Sequence, residues 1–163
     1  MTAIISRDGL PDEAVGRAHR ILLCAVRPAL DLIYMDALSD LPWPADVSGE
    51  LNALRALSIE QRQTDRDDSQ VRIRLDPRSD EQFSIALALA RYSIGVEGYS
   101  LGRQIFSEND TGTGLWADLS PDQYRALEGL VERGESIDSL FEVRVPKNRW
   151  RWAWFRRSRT PEA

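Results

Sequence analysis

Two short runs near the C-terminus, Phe141–Val145 and Trp150–Trp154, place apolar side chains at every second position, with Glu142, Arg144 and Arg151 between them. Alternation of this kind sends successive side chains to opposite faces of an extended chain, so each run reads as a half-buried strand. Pro146-Lys147-Asn148-Arg149 separates them. A three-residue loop would set Val143 against Arg151 and Glu142 against Trp152, mixing the faces. A four-residue loop pairs Val145 with Trp150, Val143 with Trp152 and Phe141 with Trp154. A two-residue loop gives the same faces but asks Pro146 for a backbone donor it does not have. Because a slip of one residue flips every side chain, the apolar pattern selects the parity. The expected hairpin carries Trp150, Trp152 and Trp154 on one face. The other face carries Arg144, Arg149 and Arg151, with Glu142 as its acid.

Gln70–Leu75 alternates in the same way, with Val71, Ile73 and Leu75 on one side and Arg72 and Arg74 on the other. If it joins the same sheet, Arg72 and Arg74 extend the cationic face. Helical signals fill much of the remainder. Pro11 followed by Asp12 and Glu13 suits a first turn. Apolar residues at Val15, Ala18, Leu22, Val26, Ala29, Ile33 and Ala37 then predict one long helical face, kinked or broken near Ala25–Arg27 by Pro28. Leu41-Pro42-Trp43-Pro44 is a stiff connector. A shorter helix is expected over Val47–Leu57 with Leu51 and Leu54 inward, and 58–63 reads as either helix or strand. Thr64–Ser69 is a charged turn expected in solvent.

Ser79 with Gln82 forms a capping-box pattern ahead of the apolar run Phe83–Ala90, a buried helix. If that helix continues, Ser84, Ala88, Gly95, Gly98 and Gly102 form a small-residue face; alternatively Gly95 or Gly98 ends it. Asn109–Gly114 reads as a loop. Ser120, Pro121 and Gln123 open a further helix with Tyr124, Leu127 and Val131 inward and Gly134 as its stop. The expected fold is α+β, with about four helices packed on one face of a small antiparallel sheet that includes the C-terminal hairpin. At 163 residues it reads as a single globular domain over 1–163, with a flexible basic tail at 156–163.

Charge is unevenly placed. Residues 1–143 hold 14 basic and 25 acidic side chains, a net of −11, and residues 144–163 hold 7 and 1, a net of +6. One cysteine, Cys24, and one histidine, His19, exclude an intramolecular disulfide and any site built on two of either. Cys24 lies between Arg20 and Arg27, whose charges would favour its thiolate. The simpler reading is a small residue at a helix contact. His19 borders the apolar face and is expected to be a partly buried, satisfied histidine, turned too far round the helix to serve Cys24 as a base. Ser107–Asp118 has the spacing of a calcium loop but lacks the acidic first and glutamate twelfth positions that hold the ion. No phosphate loop or nucleophile elbow is present, and neither cofactor nor metal is expected.

The opening MTAIISRDGL lacks the basic segment and apolar run of a signal peptide, and the longest apolar stretches, Ile21–Val26 and Ile85–Ala90, are far shorter than the ~20 residues of a membrane span. A cytoplasmic protein with no membrane partner is expected. The tryptophans of the hairpin read either as core or as a contact surface or dimer seam. The leading function is a non-enzymatic protein-binding module of the inhibitor, immunity or adaptor type, whose acidic body attracts a basic partner; a homodimer also fits. The alternatives are nucleic-acid or phosphate binding through Arg72, Arg74, Arg144, Arg149 and Arg151, with Trp150, Trp152 and Trp154 beside them, or an enzyme with scattered acidic groups and a pocket at the glycines of 95–102.

Overall fold

The structure is a computed structural model that describes residues 1–65, 68–109, 114–131 and 136–144. Among them run β1 (Thr2–Ser6), α1 (Asp12–Val26), β2 (Leu32–Leu38), α2 (Ser48–Glu60), β3 (Gln70–Leu75), α3 (Asp80–Leu89), β4 (Gly95–Ser100), β5 (Arg103–Asn109), β6 (Gly114–Leu119), α4 (Pro121–Leu130), α5 (Ile137–Leu140) and β7 (Phe141–Arg144). The strands form one seven-stranded sheet in the order β3-β2-β4-β5-β6-β1-β7, antiparallel at every junction. The fold is thus α+β. The sheet is larger than expected, because β1, β2, β4, β5 and β6 all join it.

The helices pack against the sheet, α1 on β5 and β6, α2 and α3 on β3, α4 on β6 and α5 on β7. In register across the sheet, Leu75, Ile33 and Gly98 meet Phe106, Ala117, Ile4 and Val143, and this row lies under α1 and its neighbours. Ile4, Ile33, Met35, Ile73, Phe106 and Leu115 on the strands and Leu22, Leu23, Leu54 and Leu89 on the helices are fully buried. Burying each such side chain contributes roughly 1.5–3 kcal/mol.

The break expected near Ala25–Arg27 is present, and the helical reading of the residues beyond it is corrected here. α1 stops at Val26, Arg27–Ala29 makes a single 3-10 turn, and Leu32–Leu38 is a strand. Pro28 cannot supply the helical donor, so the chain turns there. Ile33 and Ala37 stand four apart, a spacing that fits a helical face and an extended one alike; Met35, also buried, decides for the strand.

The proposed continuation of α3 into a glycine face is corrected too. α3 gives way to a 3-10 turn over Ala90–Tyr92, and Gly95–Ser100 is β4. Gly98 points into the core, where an added Cβ would lie 2.8 Å from Leu30 Cδ2 and 3.0 Å from Phe106 Cβ. β4 and β5 are joined by Leu101-Gly102, both at positive φ, 50° and 73°, a tight hairpin turn.

The remaining expectations meet the structure with two adjustments, at Gln82 and at Thr64. Leu51 and Leu54 face inward from α2, which runs on to Glu60. The Ser120–Gln123 capping box is complete at α4. At α3 the box is half made: Ser79 Oγ accepts from Gln82 N, while the Gln82 side chain accepts from Asp76 N. Thr64 leaves the solvated turn for the interior, where its hydroxyl accepts from Ser58 Oγ at 2.7 Å and from Arg72 N at 3.0 Å. Phe141–Arg144 is a strand as read, paired with β1; the second arm of the hairpin, 150–154, the tail 156–163 and the stop at Gly134 lie outside the described residues. No helix among the described residues is long and apolar enough to cross a membrane.

Candidate functional site

Of the arginines singled out in the sequence, Arg72, Arg74 and Arg144 are described; they fall on one face of the sheet but at opposite edges. Arg72 and Arg74 are exposed on β3 and Arg144 is exposed on β7, with five strands between them. At a strand spacing of ~4.8 Å the two groups stand about 29 Å apart. Arg72 Nε lies 3.6 Å from Asp36 Oδ2, and its Nη2 donates to Gln70 Oε1 at 3.0 Å. Arg144 Nη2 lies 3.9 Å from Glu142 Oε2. Arg149, Arg151, Trp150, Trp152 and Trp154 lie outside the described residues.

The surface between those edges is mixed in character. The register aligns Arg74, Tyr34, Glu97, Ser107, Trp116, Ile5 and Glu142 in one row across the sheet. From Tyr34 to Ile5 these side chains are half-buried. Tyr99 donates its hydroxyl to Glu97 Oε2 at 2.5 Å, and that bond, helped by burial, holds the phenol above its ordinary range. Asp36 accepts from Gln70 Nε2 at 2.9 and 3.0 Å, and Asp118 pairs with Arg103 Nη2 at 2.5 Å. No described helix packs on this face.

The helical side holds the principal feature that sequence reasoning missed. Glu108 occupies a core position of β5, between Val96 and Leu115. It is wholly buried, and its Oε2 lies 3.0 Å from Nδ1 of His19, itself 3% exposed on α1. Burial pushes the Glu108 carboxyl up, and the imidazole contact only partly offsets this. The partly buried histidine expected at His19 is instead almost wholly buried, with the Glu108 carboxyl set against its Nδ1. Ser107 to Asn109 and Gly114 to Asp118 are strand residues, and among the described residues no group of three or more His, Cys, Asp or Glu could hold a metal ion. The signal available in the sequence was Phe106 and Glu108 two apart, an acid in the inward phase of a strand. The looser calcium-loop spacing obscured it.

Cys24 is half-buried, and burial raises its thiol against the opposing charges of Arg27 and Arg20, so thiolate character is not favoured. Beside His19 a cleft of about 560 Å³ opens between α1, the end of α3 and the segment at Asp46. Arg17, Arg20 and Arg91 line it, together with Glu13 and Asp46. A second concavity, about 340 Å³ and mostly apolar, lies under Trp43 and shares Arg91 and Tyr92 with the first. The chain matches no family model, no curated protein and no solved structure, so its fold and these surfaces carry the functional argument.

Proposed function

We propose that this chain is a non-enzymatic protein-binding module of the inhibitor, immunity or adaptor type, and that the open face of the sheet is its contact surface. The observation behind this is the row Tyr34, Glu97, Ser107, Trp116 and Ile5, half-buried on a face that no described helix covers. Tyrosine and tryptophan offer large contact areas with few side-chain torsions to freeze, which is why they concentrate binding energy. Asp36, Glu97 and Asp118 set the rings among carboxylates, and the net −11 of residues 1–143 speeds encounter with a basic protein.

Phosphate or nucleic-acid binding through the arginines draws less support. Arg72 and Arg74 are far from Arg144, and carboxylates lie between them. The enzyme reading placed a pocket at the glycines of 95–102, where Gly98 instead meets Leu30 and Phe106.

The test is affinity capture from the cell extract in which the protein is made, followed by titration of the purified partner. A basic protein should be retained, with affinity that falls steeply with salt. Tyr99→Ala/Trp116→Ala should weaken it about tenfold or more, whereas Glu13→Gln on the helical side should not. Capture of nothing beyond what a folded control protein retains, or equal binding by the double variant, would remove the proposal.

A further inference from the structure

The two concavities on the helical side meet at Arg91 and Tyr92, and their characters differ. One end is rich in arginine: Arg20 and Arg91 line it with Arg17, Glu13 and Asp46, and His19 is in the wall. The other end is apolar, built from the Leu41-Pro42-Trp43-Pro44 connector. Trp43 is held by donating its indole N–H to Leu38 O at 2.6 Å, and its ring meets Tyr92 edge-on at 5.9 Å.

Arg91 is set at the junction by two contacts. Its guanidinium carbon lies 4.9 Å from the centre of the Tyr92 ring. It also rests against Gly16 of α1, where a Cβ would lie 2.7 Å from Arg91 Nη1. A glycine in the interior of an exposed helix face costs helix stability relative to alanine. Here its missing side chain leaves the space that Arg91 occupies. Among the described residues no carboxylate lies within ion-pair distance of Arg91 or Arg20.

We propose that the two concavities are one ligand site, which takes a small molecule with a flat or apolar body and one terminal oxyanion, a carboxylate or phosphate monoester. The oxyanion sits against Arg20 and Arg91, whose forked donors match its geometry. The body lies along Trp43 and Tyr92, where burial of apolar surface adds to the charge-assisted bonds. This site is on the opposite side of the sheet from the protein-binding face and does not depend on it.

The chain's single histidine makes the test direct, because a histidine-labelled sample of the full chain yields one imidazole signal, from the wall of the cleft. Benzoate and phenyl phosphate should shift the His19 signal saturably, and both should act at lower concentration than acetate or inorganic phosphate, which lack the ring. Benzyl alcohol, a ring without the anion, should leave it in place. Arg91→Gln should weaken benzoate and phenyl phosphate binding about tenfold or more. Gly16→Ala should do the same while leaving the helix intact, since its Cβ displaces only the end of a flexible side chain. Arg74→Gln, on the far face, should bind as the parent does. If neither ring-bearing anion moves the signal, or if both bind the Arg91 and Gly16 variants as tightly as the parent, the site is not there. A response to benzoate alone or to phenyl phosphate alone identifies which oxyanion the cleft takes.

Discussion

The two faces of this sheet hold the same chemical group under opposite conditions. On the open face Asp36, Glu97 and Asp118 keep some contact with water, and each has a neighbour that donates to it: Gln70, Tyr99 and Arg103. On the helix-covered face Glu108 is wholly buried against one imidazole, and among the described residues its Oε1 has no hydrogen-bond partner. The backbone is the same antiparallel ladder in both cases. What differs is the solvent each carboxylate has lost, and that sets the cost of its charge.

The sharpest way to break this comparison is to remove one partner from each face. At neutral pH His19→Ala leaves Glu108 buried without its imidazole and should lower the unfolding free energy by about 3–5 kcal/mol, while His19→Leu/Glu108→Leu should recover most of that loss. Denaturant unfolding reads both. Next in size is a methyl group added on either side. Gly98→Ala drives a Cβ into Leu30 and Phe106 and should cost about 1–3 kcal/mol. Gly95→Ala, whose Cβ would come no nearer than 3.4 Å to Glu108 O, should be tolerated.

The pH dependence separates the faces further. Glu108 has a higher pKa folded than unfolded, so between the ordinary value of 4.5 and its raised folded value the native chain holds a proton that the unfolded chain has released. Its contribution is therefore fully present below 4.5 and is lost as pH rises through the folded value. The stability of the parent relative to Glu108→Gln should fall over that window, as measured by unfolding at a series of pH values. A parallel pair of curves would mean the carboxyl titrates as though it were in water.

Two smaller effects concern the exposed surface. Leu101 sits at φ 50° with its side chain 95% exposed, so it carries the strain of a left-handed residue with no packing in return. Leu101→Gly should raise stability by about 1 kcal/mol, visible as a higher Tm. Arg72→Gln removes an exposed ion pair and should change stability by less than about 1 kcal/mol in the same assay. A large loss there would place the open-face pairs among the principal supports of the fold.

Leu101 also explains why much of the sheet was hard to read. A two-residue hairpin turn usually announces itself as Asn-Gly or Asp-Gly, and Leu101-Gly102 does not, so β4 and β5 passed for a continued helix and its surroundings. β1 shows no alternation because Ala3, Ile4 and Ile5 are all apolar: Ile4 faces the core and Ile5 joins the row on the open face. β2 was hidden by the four-residue spacing of Ile33 and Ala37. In contrast, β3, α2, α4 and Phe141–Arg144 were legible, because each carries an unambiguous period or a cap at its start. Of the candidate surfaces, the arginines were legible as residues but not as a group. Neither the Glu108 partner of His19 nor the meeting of Arg91 with Gly16 leaves a local trace.

The order of residues alone determined an α+β chain with an acid-rich body, a basic end and single copies of cysteine and histidine, because composition, alternation and capping are properties of near neighbours. The tertiary structure decided that Arg72 and Arg144 stand at opposite edges, that Glu108 meets His19, and that Arg91 lies in the space left by Gly16. These pairs lie 72 to 89 positions apart in the chain, and strand order, which no local pattern encodes, is what brings such residues together or keeps them apart.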